Sequence, residues 1–148
     1  MVRKKSVGVI IFKREGKAIR YLLLHHGGEY WNFPKGTQEK RETDLQTALR
    51  ELAEETGITE VKIIDGFCEQ YDYDFDTEIR DRVKEKIYKT AIFYLGEANE
   101  TKVKISNEHL DFGWFDYDTA LKRLFYQRGQ NLLKKASQFL LKQQDFVL

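Results

Sequence analysis

Three acidic side chains, those of Glu51, Glu54 and Glu55, lie close together in a stretch whose pattern predicts a helix. At about 100° per residue they share one arc of that helix. They fall in its last turns, where the helix dipole disfavours negative charge, and Glu51 and Glu55 form a like-charge i,i+4 pair. A divalent cation would relieve this repulsion, because clustered carboxylate oxygens suit Mg²⁺ or Mn²⁺, which also bind phosphate oxygens. On the helix alone, a solvated acidic face remains the ordinary alternative.

The helix that must position these acids has clear start and stop signals. Thr43 followed by Gln46 predicts a capping box, and Gly57 predicts a left-handed C-terminal end. Arg50 is placed to pair with Glu54, but one cation does not neutralise three carboxylates. Apolar residues recur at helical spacing and predict a single buried stripe formed by Leu45, Ala48, Leu49 and Leu52.

The spacing around the helix is more specific than the helix itself. Gly36 is followed after five residues by Glu42, and after seven more by residues 50–58, RELAEETGI. This arrangement resembles the complete Nudix box, with no position departing from the pattern. The resemblance implies a hydrolase that uses a divalent metal to cleave a nucleoside diphosphate linked to another group. It also implies the Nudix fold, an α/β/α sandwich with a central mixed sheet.

The hydrophobic pattern independently predicts strands interspersed with a few helices, which is an α/β (α+β) class. Strands are predicted at residues 7–12, 19–25, 61–64, 67–75, 87–97, 103–105 and 112–115, and a final helix at about 130–142. The densely charged segment 76–86 is predicted to be an exposed connection between two strands.

Length, composition and charge limit the kinds of protein to which this chain can belong. With 148 residues, of which 41% are hydrophobic and 33% charged, we expect a single domain over residues 1–148. The net charge of +1 shows no overall excess of basic residues of the kind that binds nucleic acid, so no DNA partner is expected. The single cysteine excludes an internal disulfide, and no stretch is long enough to span a membrane. We therefore expect a cytoplasmic protein, a monomer or weak dimer, with no membrane partner.

Segments outside the helix resemble one branch of the Nudix enzymes. WNFPKG before the box, and GFCEQYDY, KTAIFYLGE, ISNEHLDFGWF and ASQFL after it, are similar to the asymmetrical bis(5'-nucleosyl)-tetraphosphatases. The similarity runs from Ser6 to Leu140. It implies cleavage of diadenosine tetraphosphate to ATP and AMP by attack of water on phosphorus. The charged connection 76–86 looks longer here, which leaves open any phosphate contact from that loop.

The resemblance implies roles for individual acids. Glu54 and Glu55 match the principal metal ligands, with Glu51 beside them, and the backbone carbonyl of Lys35 is a further ligand. Glu108, in the segment SNEH, matches an acid that approaches from a loop and either binds metal or positions water. The expected metal is Mg²⁺, with Mn²⁺ as the alternative.

The catalytic roles follow from the same match. Glu54 is the first choice, and Glu51 the second, for the carboxylate that accepts the proton of the attacking water. Arg50 is expected to orient the acids rather than to touch substrate, and Glu42 to tie the preceding loop to the helix.

The substrate is expected to contact aromatic and basic residues. Phe93 and Tyr126 fall where the family places two rings around an adenine, and such stacking contributes about 1–3 kcal/mol per base. For Phe93, a place in the core is an equal alternative. The side chains of Lys35 and Lys89 are expected to meet phosphates, although Lys89 could equally lie at a solvated strand end.

Two other functions remain open from the sequence. One is a Nudix hydrolase for another capped diphosphate, such as an RNA 5'-triphosphate end, a damaged nucleotide or an inositol pyrophosphate; the near-neutral charge argues against the last. The other is a nucleotide sensor without catalytic activity. A sensor would be expected to carry a broken box or an appended DNA-binding domain, and this chain shows neither.

Overall fold

A seven-stranded mixed sheet with three helices makes up the described part of the protein. The structure, a computed structural model, describes residues 2–78, 84–99 and 102–145. The elements follow in the order β1 (Val2–Glu15), β2 (Ala18–Gly27), β3 (Tyr30–Asn32), β4 (Lys35–Thr37), α1 (Asp44–Thr56), β5 (Val61–Glu78), β6 (Lys84–Ala98), β7 (Asp111–Phe115), α2 (Tyr117–Arg123) and α3 (Gln127–Asp145).

Strand β1 lies at the centre of the sheet. The strand order is β3-β2-β1-β6-β5, with β4 also paired to β1 and β7 to β2. Strand β1 runs antiparallel to β2 and β4 but parallel to β6, which makes the sheet mixed. The central mixed sheet predicted from the sequence is therefore confirmed.

Two hydrophobic cores cover the two faces of the sheet. Successive side chains of a strand point to opposite faces. Ile10 and Phe12 of β1 accordingly pack with residues of α2 and α3, whereas Val9 and Ile11 pack with residues of α1. Helices on both faces give the expected α/β/α sandwich. In the final helix, Leu133 and Ala136 are fully buried.

Helix α1 begins and ends as predicted but is rotated relative to the prediction. Thr43 and Gln46 form the capping box, and Gly57 ends the helix with a φ of 76°. Of the predicted apolar stripe, Ala48 and Leu52 are buried, but the other two members are exposed: Leu45 (37%) and Leu49 (36%). The predicted stripe is therefore half wrong. The helix instead buries a more polar surface, which includes Thr47, Glu55 and Thr56.

The charged segment 76–86 is not simply a connection. Residues 76–78 and 84–86 belong to β5 and β6, which pair from Val61 with Ala98 to Glu78 with Lys84; residues 79–83 lie outside the described part. Opposite charges meet across this extension: Lys86 is in register with Asp76 and forms a 3.4 Å ion pair with the diagonal Asp74.

Three other short elements differ from the prediction. Residues 103–105 form no strand, because the Lys104 amide donates to the Thr56 carbonyl at the end of α1 instead of to a neighbouring strand. Strands β3 and β4, of three residues each, are too short to show a periodic pattern and were not predicted.

Among the described residues, no helix is both long and apolar enough to cross a membrane.

Gly8 allows β4 and β6 to approach β1 from both sides. Its register partners are Lys35 in β4 and Phe93 in β6. A Cβ atom added at Gly8 would lie 2.7 Å from the Lys35 Cβ and 2.8 Å from a ring carbon of Phe93, and would overlap the Pro34 carbonyl oxygen. The absence of a side chain at this position therefore fixes where β4, and with it Lys35, lies on the sheet.

Replacing Gly8 with alanine is expected to lower the free energy of unfolding by about 1–3 kcal/mol, the usual effect of overpacking. Urea unfolding measures this change directly. Gly16→Asn is the matched control: Gly16 lies at an open turn with a φ of 61°, which asparagine tolerates, so its change should stay within about 0.5 kcal/mol. A Gly8→Ala protein as stable as the parent would contradict the close approach of the three strands.

Candidate active site

Four carboxylates face one cavity at the C-terminal half of α1. The cavity has a volume of about 290 Å³ and is lined by Glu51, Glu54 and Glu55 of α1 and by the loop residues Ser106, Asn107 and Glu108. Glu55 is buried, with 8% of its surface exposed, whereas the side chain of Glu54 is 59% exposed. The acids predicted from the sequence are thus brought together, including the one that is distant in sequence.

The loop that carries Glu108 is held by the end of α1. The last carbonyls of a helix have no partner inside the helix. Here the Ser106 amide donates to the Glu55 carbonyl at 3.2 Å, beside the Lys104 amide that donates to Thr56 at 2.8 Å. The buried His109 closes the loop, since its Nδ1 lies 3.0 Å from the Ser106 hydroxyl. These contacts fix Glu108 opposite the acids of α1.

The guanidinium of Arg50 sits among the acids. Its Nε donates to Glu42 at 2.7 Å and its Nη2 to the same carboxylate at 3.0 Å, while Nη1 donates to Glu51 at 2.9 Å and to Glu54 at 3.2 Å. Nη2 also donates to the Thr37 carbonyl in β4. Arg50 therefore connects the loop before α1, the strand β4 and two of the acids, as its predicted orienting role requires.

The buried acids are strained electrostatically. Burial, and next the charge of Glu51, raise the pKa of Glu55 to about 8, against the opposing hydrogen bond from the Lys35 amide at 3.2 Å. Burial likewise raises the pKa of Glu51, despite its bonds to Arg50. Both shifts mean that the ionised forms of these carboxyls are disfavoured in the pocket, and a further cation would favour them.

The donor set fits a divalent cation in two respects. Carboxylate oxygens are the preferred ligands of Mg²⁺ and Mn²⁺, and the space around Glu51 is made by a glycine, since a Cβ atom at Gly36 would overlap the Glu51 carboxylate. Within the described residues, no three His, Cys, Asp or Glu side chains already stand close enough to hold an ion. In this arrangement the carboxylates of Glu51 and Glu54 accept bonds from Arg50.

A group of unpaired cations lies beside the acids. Burial, followed by the charges of Lys89 and Arg128, lowers the pKa of Lys35 to about 8. Burial and the charge of Lys4, which is in register with Lys89, lower the pKa of Lys89. Within the described residues, neither Lys35, Lys89 nor Arg128 has a carboxylate within ion-pair distance. An anion would therefore find an incompletely neutralised, partly desolvated binding surface here.

Aromatic rings surround the outermost of these cations. The guanidinium carbon of Arg128 lies 4.3 Å from the ring centre of Tyr73 and 5.0 Å from that of Tyr126. Tyr126 is 45% exposed, and Tyr30 contacts it edge-on at 5.5 Å between ring centres. Tyr126 thus offers an accessible ring at the position where the sequence predicted one.

Phe93 is placed differently from Tyr126. Its exposed fraction is 0%, and it packs edge-on against Phe33 at 6.0 Å and stacks on Tyr71 at 6.1 Å. In this conformation its faces are covered by core residues, which is the alternative that the sequence left open. The guanidinium of Arg128, which lies against Tyr126, also contacts the ring of Tyr73 in β5, the strand that pairs with β6.

Sequence reasoning did not single out Arg128, Tyr73 or Tyr30 as site residues. The alternation in β5 put Tyr71, Tyr73 and Phe75 on one face, but nothing in that pattern showed which ring would meet the turn before α3. Arg128 stands in the segment FYQRG, next to the predicted Tyr126, and this adjacency is the only signal that could have indicated it.

The charge of Glu42 should make stability depend on pH. Hydrogen bonds from Arg50, and next from the Glu39 amide, lower its pKa from 4.5 to about 2. Because the folded-state pKa is the lower one, the stabilisation is complete above about pH 4.5 and is lost as the pH falls toward 2. We expect Glu42→Gln to be less stable than the parent near neutral pH, with the difference narrowing below pH 4.5.

Urea unfolding at several pH values tests this expectation. Glu39→Gln is the control, because the Glu39 side chain is 69% exposed and lies 3.9 Å from Arg50. Its stability should run parallel to that of the parent at every pH. A stability difference for Glu42→Gln that stays constant down to pH 2.5 would contradict the proposed cause.

Comparison with known proteins agrees with this geometry. The family model for the NUDIX domain matches residues 2–136. The asymmetrical bis(5'-nucleosyl)-tetraphosphatase of Sus scrofa is 34% identical, over 92% of this chain and 95% of its own length. The RNA pyrophosphohydrolase of Bartonella bacilliformis is 32% identical, over 76% of this chain and 74% of its own.

A solved structure agrees as well. The Caenorhabditis elegans Ap4A hydrolase binary complex superposes with a TM-score of 0.80 at 28% identity, covering 94% of this chain and 98% of the other. The residues matched by the family model include α1, the loop with Glu108 and the strands of the sheet. The Sus scrofa relative is above 30% identity over most of the chain. The chain belongs to the NUDIX domain family.

Proposed function

We propose that this protein is a metal-dependent hydrolase that cleaves dinucleoside tetraphosphates asymmetrically, converting diadenosine tetraphosphate to ATP and AMP. The observation that carries the proposal is the order in which acidic, cationic and aromatic groups neighbour one another. The Lys35 amide bonds to Glu55, the charges of Lys89 and Arg128 act on the Lys35 side chain, and Arg128 lies against Tyr126. This order suits a metal-bound polyphosphate that ends in a base, and relatives with this named activity support it.

The metal would be held by Glu51, Glu54, Glu55 and Glu108, with the backbone carbonyl of Lys35 as a further ligand. Mg²⁺ is the proposed ion and Mn²⁺ the alternative. Once bound, such an ion would neutralise phosphate charge and lower the pKa of a water molecule.

The chain's own residues bind the substrate and take up the proton. Lys35 and Lys89 contact phosphates, and Tyr126 stacks on the base. Glu54 accepts the proton of the attacking water, with Glu51 as the alternative. The exposure of Glu54 supports this choice, since its carboxylate can reach a water molecule, whereas Glu51 is largely covered, with 15% of its side chain exposed.

The reaction breaks one phosphoanhydride bond. The water oxygen attacks one phosphorus in line, the bridging oxygen leaves with the other part of the chain, and the water proton goes to Glu54. The products are a mononucleotide and a nucleoside triphosphate. Positioning and electrostatic stabilisation supply most of the rate in reactions of this kind, and Arg50 contributes by orienting the acids.

A second candidate substrate is the 5'-triphosphate end of RNA. Relatives named RNA pyrophosphohydrolase favour it. The row of Tyr71, Tyr73 and Phe75 along β5, with neighbouring ring centres 5.8 and 6.1 Å apart, would also allow contacts with more than one base. The intact Nudix box argues against a sensor without activity.

We further propose that the protein is cytoplasmic and is a monomer or weak dimer.

The products of diadenosine tetraphosphate test the proposed reaction. With Mg²⁺ we expect equal amounts of AMP and ATP, separated by ion-exchange chromatography, and no activity with chelator. Two molecules of ADP would mean that the attacked phosphorus is wrongly assigned.

Glu54→Gln should fold normally and lower kcat by about 10²–10⁴-fold, the range for a general base; near-parental turnover would remove Glu54 from the reaction.

Tyr126→Ala is expected to raise the KM for diadenosine tetraphosphate by roughly five- to 150-fold, with a smaller effect on kcat, because one base loses its stacking partner. Leu141→Ala is the matched control: this large apolar side chain on α3 is 57% exposed and is not placed on the substrate. Steady-state kinetics distinguish the two variants. An unchanged KM in Tyr126→Ala would mean that the ring does not touch substrate.

A further inference from the structure

The guanidinium of Arg128 occupies a slot between aromatic rings from two parts of the fold. Tyr73 belongs to β5, whereas Tyr126 belongs to the turn before α3, and the guanidinium carbon lies within 5.0 Å of both ring centres. It also lies 5.3 Å from the ring centre of Tyr71. A planar, cationic group thus takes the place between two rings that a planar nucleobase would take.

Only part of the hydrogen-bonding capacity of Arg128 is used among the described residues, in a side-chain hydrogen bond with Tyr71. Its Nε atom is shielded from solvent and has no hydrogen-bond partner. Glu69 lines a neighbouring cavity with Arg128, but its carboxylate accepts a bond from Lys135 at 3.2 Å. Arg128 is therefore an available donor whose charge is not neutralised by a carboxylate partner among the described residues.

The cations near the slot are also donors, and the two carboxylates that share a cavity with Tyr73 already have partners. Asp72 accepts a bond from Thr90 at 2.8 Å, and Asp74 pairs with Lys86 at 3.4 Å. Lys35 and Lys89 lie on the phosphate side, and the charge of Arg128 reaches Lys35. Among the polar groups nearby, the Tyr30 hydroxyl already accepts a bond from Asn32 at 3.2 Å, and the Asn131 side-chain oxygen accepts one from Gln127 at 3.0 Å. The slot is consequently rich in donors and has few unoccupied acceptors.

We propose that Arg128 is a specificity-determining residue, which reads the base held between Tyr73 and Tyr126 and favours guanine over adenine. This inference rests on the proposed function, because it concerns the base of the same substrate. As the base enters from the exposed side of Tyr126, it replaces the guanidinium on the ring faces. The guanidinium, anchored by its backbone in the first turn of α3, then moves to the edge of the base.

The two purines present different edges to that guanidinium. Guanine offers two acceptors, O6 and N7, which arginine binds in a bidentate manner. Adenine offers N7 as an acceptor but turns its N6 amino donor toward the same place. Arginine has donors only, so adenine forms one bond where guanine forms two, and its amino group faces a positive charge.

Hydrolysis of the two symmetrical tetraphosphates tests the inference. For the parent protein with Mg²⁺, the ratio of kcat/KM for diguanosine over diadenosine tetraphosphate should be roughly five to 150, which is the discrimination of one bidentate pair. In Arg128→Met the ratio should fall to about one. Arg128→Lys, which keeps the charge but loses the planar fork, should also lose most of the preference.

Lys134→Met is the matched control, since it removes one positive charge from an exposed position of the same helix outside the slot; its ratio should equal that of the parent. Because each ratio is measured within one protein, a partly unfolded variant does not alter it. A parental ratio near one, or an Arg128→Met ratio equal to that of the parent, would overturn the inference while leaving the proposed function intact.

A failure of the proposed function is distinguishable from a failure of this inference. If neither tetraphosphate is hydrolysed, the proposed function falls, and calorimetric binding of GTP and ATP without metal decides the role of Arg128. Tighter binding of GTP by the parent, lost in Arg128→Met, would still support base reading by Arg128. Equal binding of the two nucleotides by the parent would reject it.

Discussion

Crowding of like charge in one cavity is the constraint on which the rest of this structure depends. Four carboxylates face a space that contains one guanidinium, and one of them, Glu55, is buried. Holding them together takes contacts from three directions: Arg50 and Glu42 from the side of the loop before α1, the Lys35 amide from β4, and the backbone of the Glu108 loop. A cation that entered would favour the ionised forms of these carboxyls, and the side chains would have to draw together to bind it.

Lys35 lies between groups of opposite charge. Its backbone amide donates to the acid Glu55, while its side chain shares a desolvated region with Lys89 and Arg128. One residue therefore belongs to both the acid cavity and the cationic surface. The position of β4 therefore determines where Lys35 meets the acids and the cations. Because Gly8 lets β4 lie close to β1, it affects the position of Lys35 as well as the packing of the strands.

Local signals predicted the ends of α1, the main strands and the grouping of the acids, because caps and alternation act over a few residues. The rotation of α1 could not be predicted that way: Leu45 and Leu49 form the more apolar stripe, yet Glu55 is buried because β4 and the loop before β7 require it there. Similarly, the burial of Phe93 and the position of Arg128 depend on where α3 crosses β5, which is a property of tertiary packing. Short strands such as β3 have no pattern to detect.

The parallel pairing of β1 with β6 has a consequence for biosynthesis. Every register pair is separated by 85 positions, from Val2 with Ile87 to Phe12 with Glu97. At about 5–20 residues per second, a ribosome would leave β1 without this partner for roughly 4–17 s. During that interval the apolar run at residues 7–12 has only β2 and β4 to cover its edges. One edge of β1 therefore stays unpaired until β6 has been synthesised, which is a risk for aggregation, and such non-local pairings fold slowly.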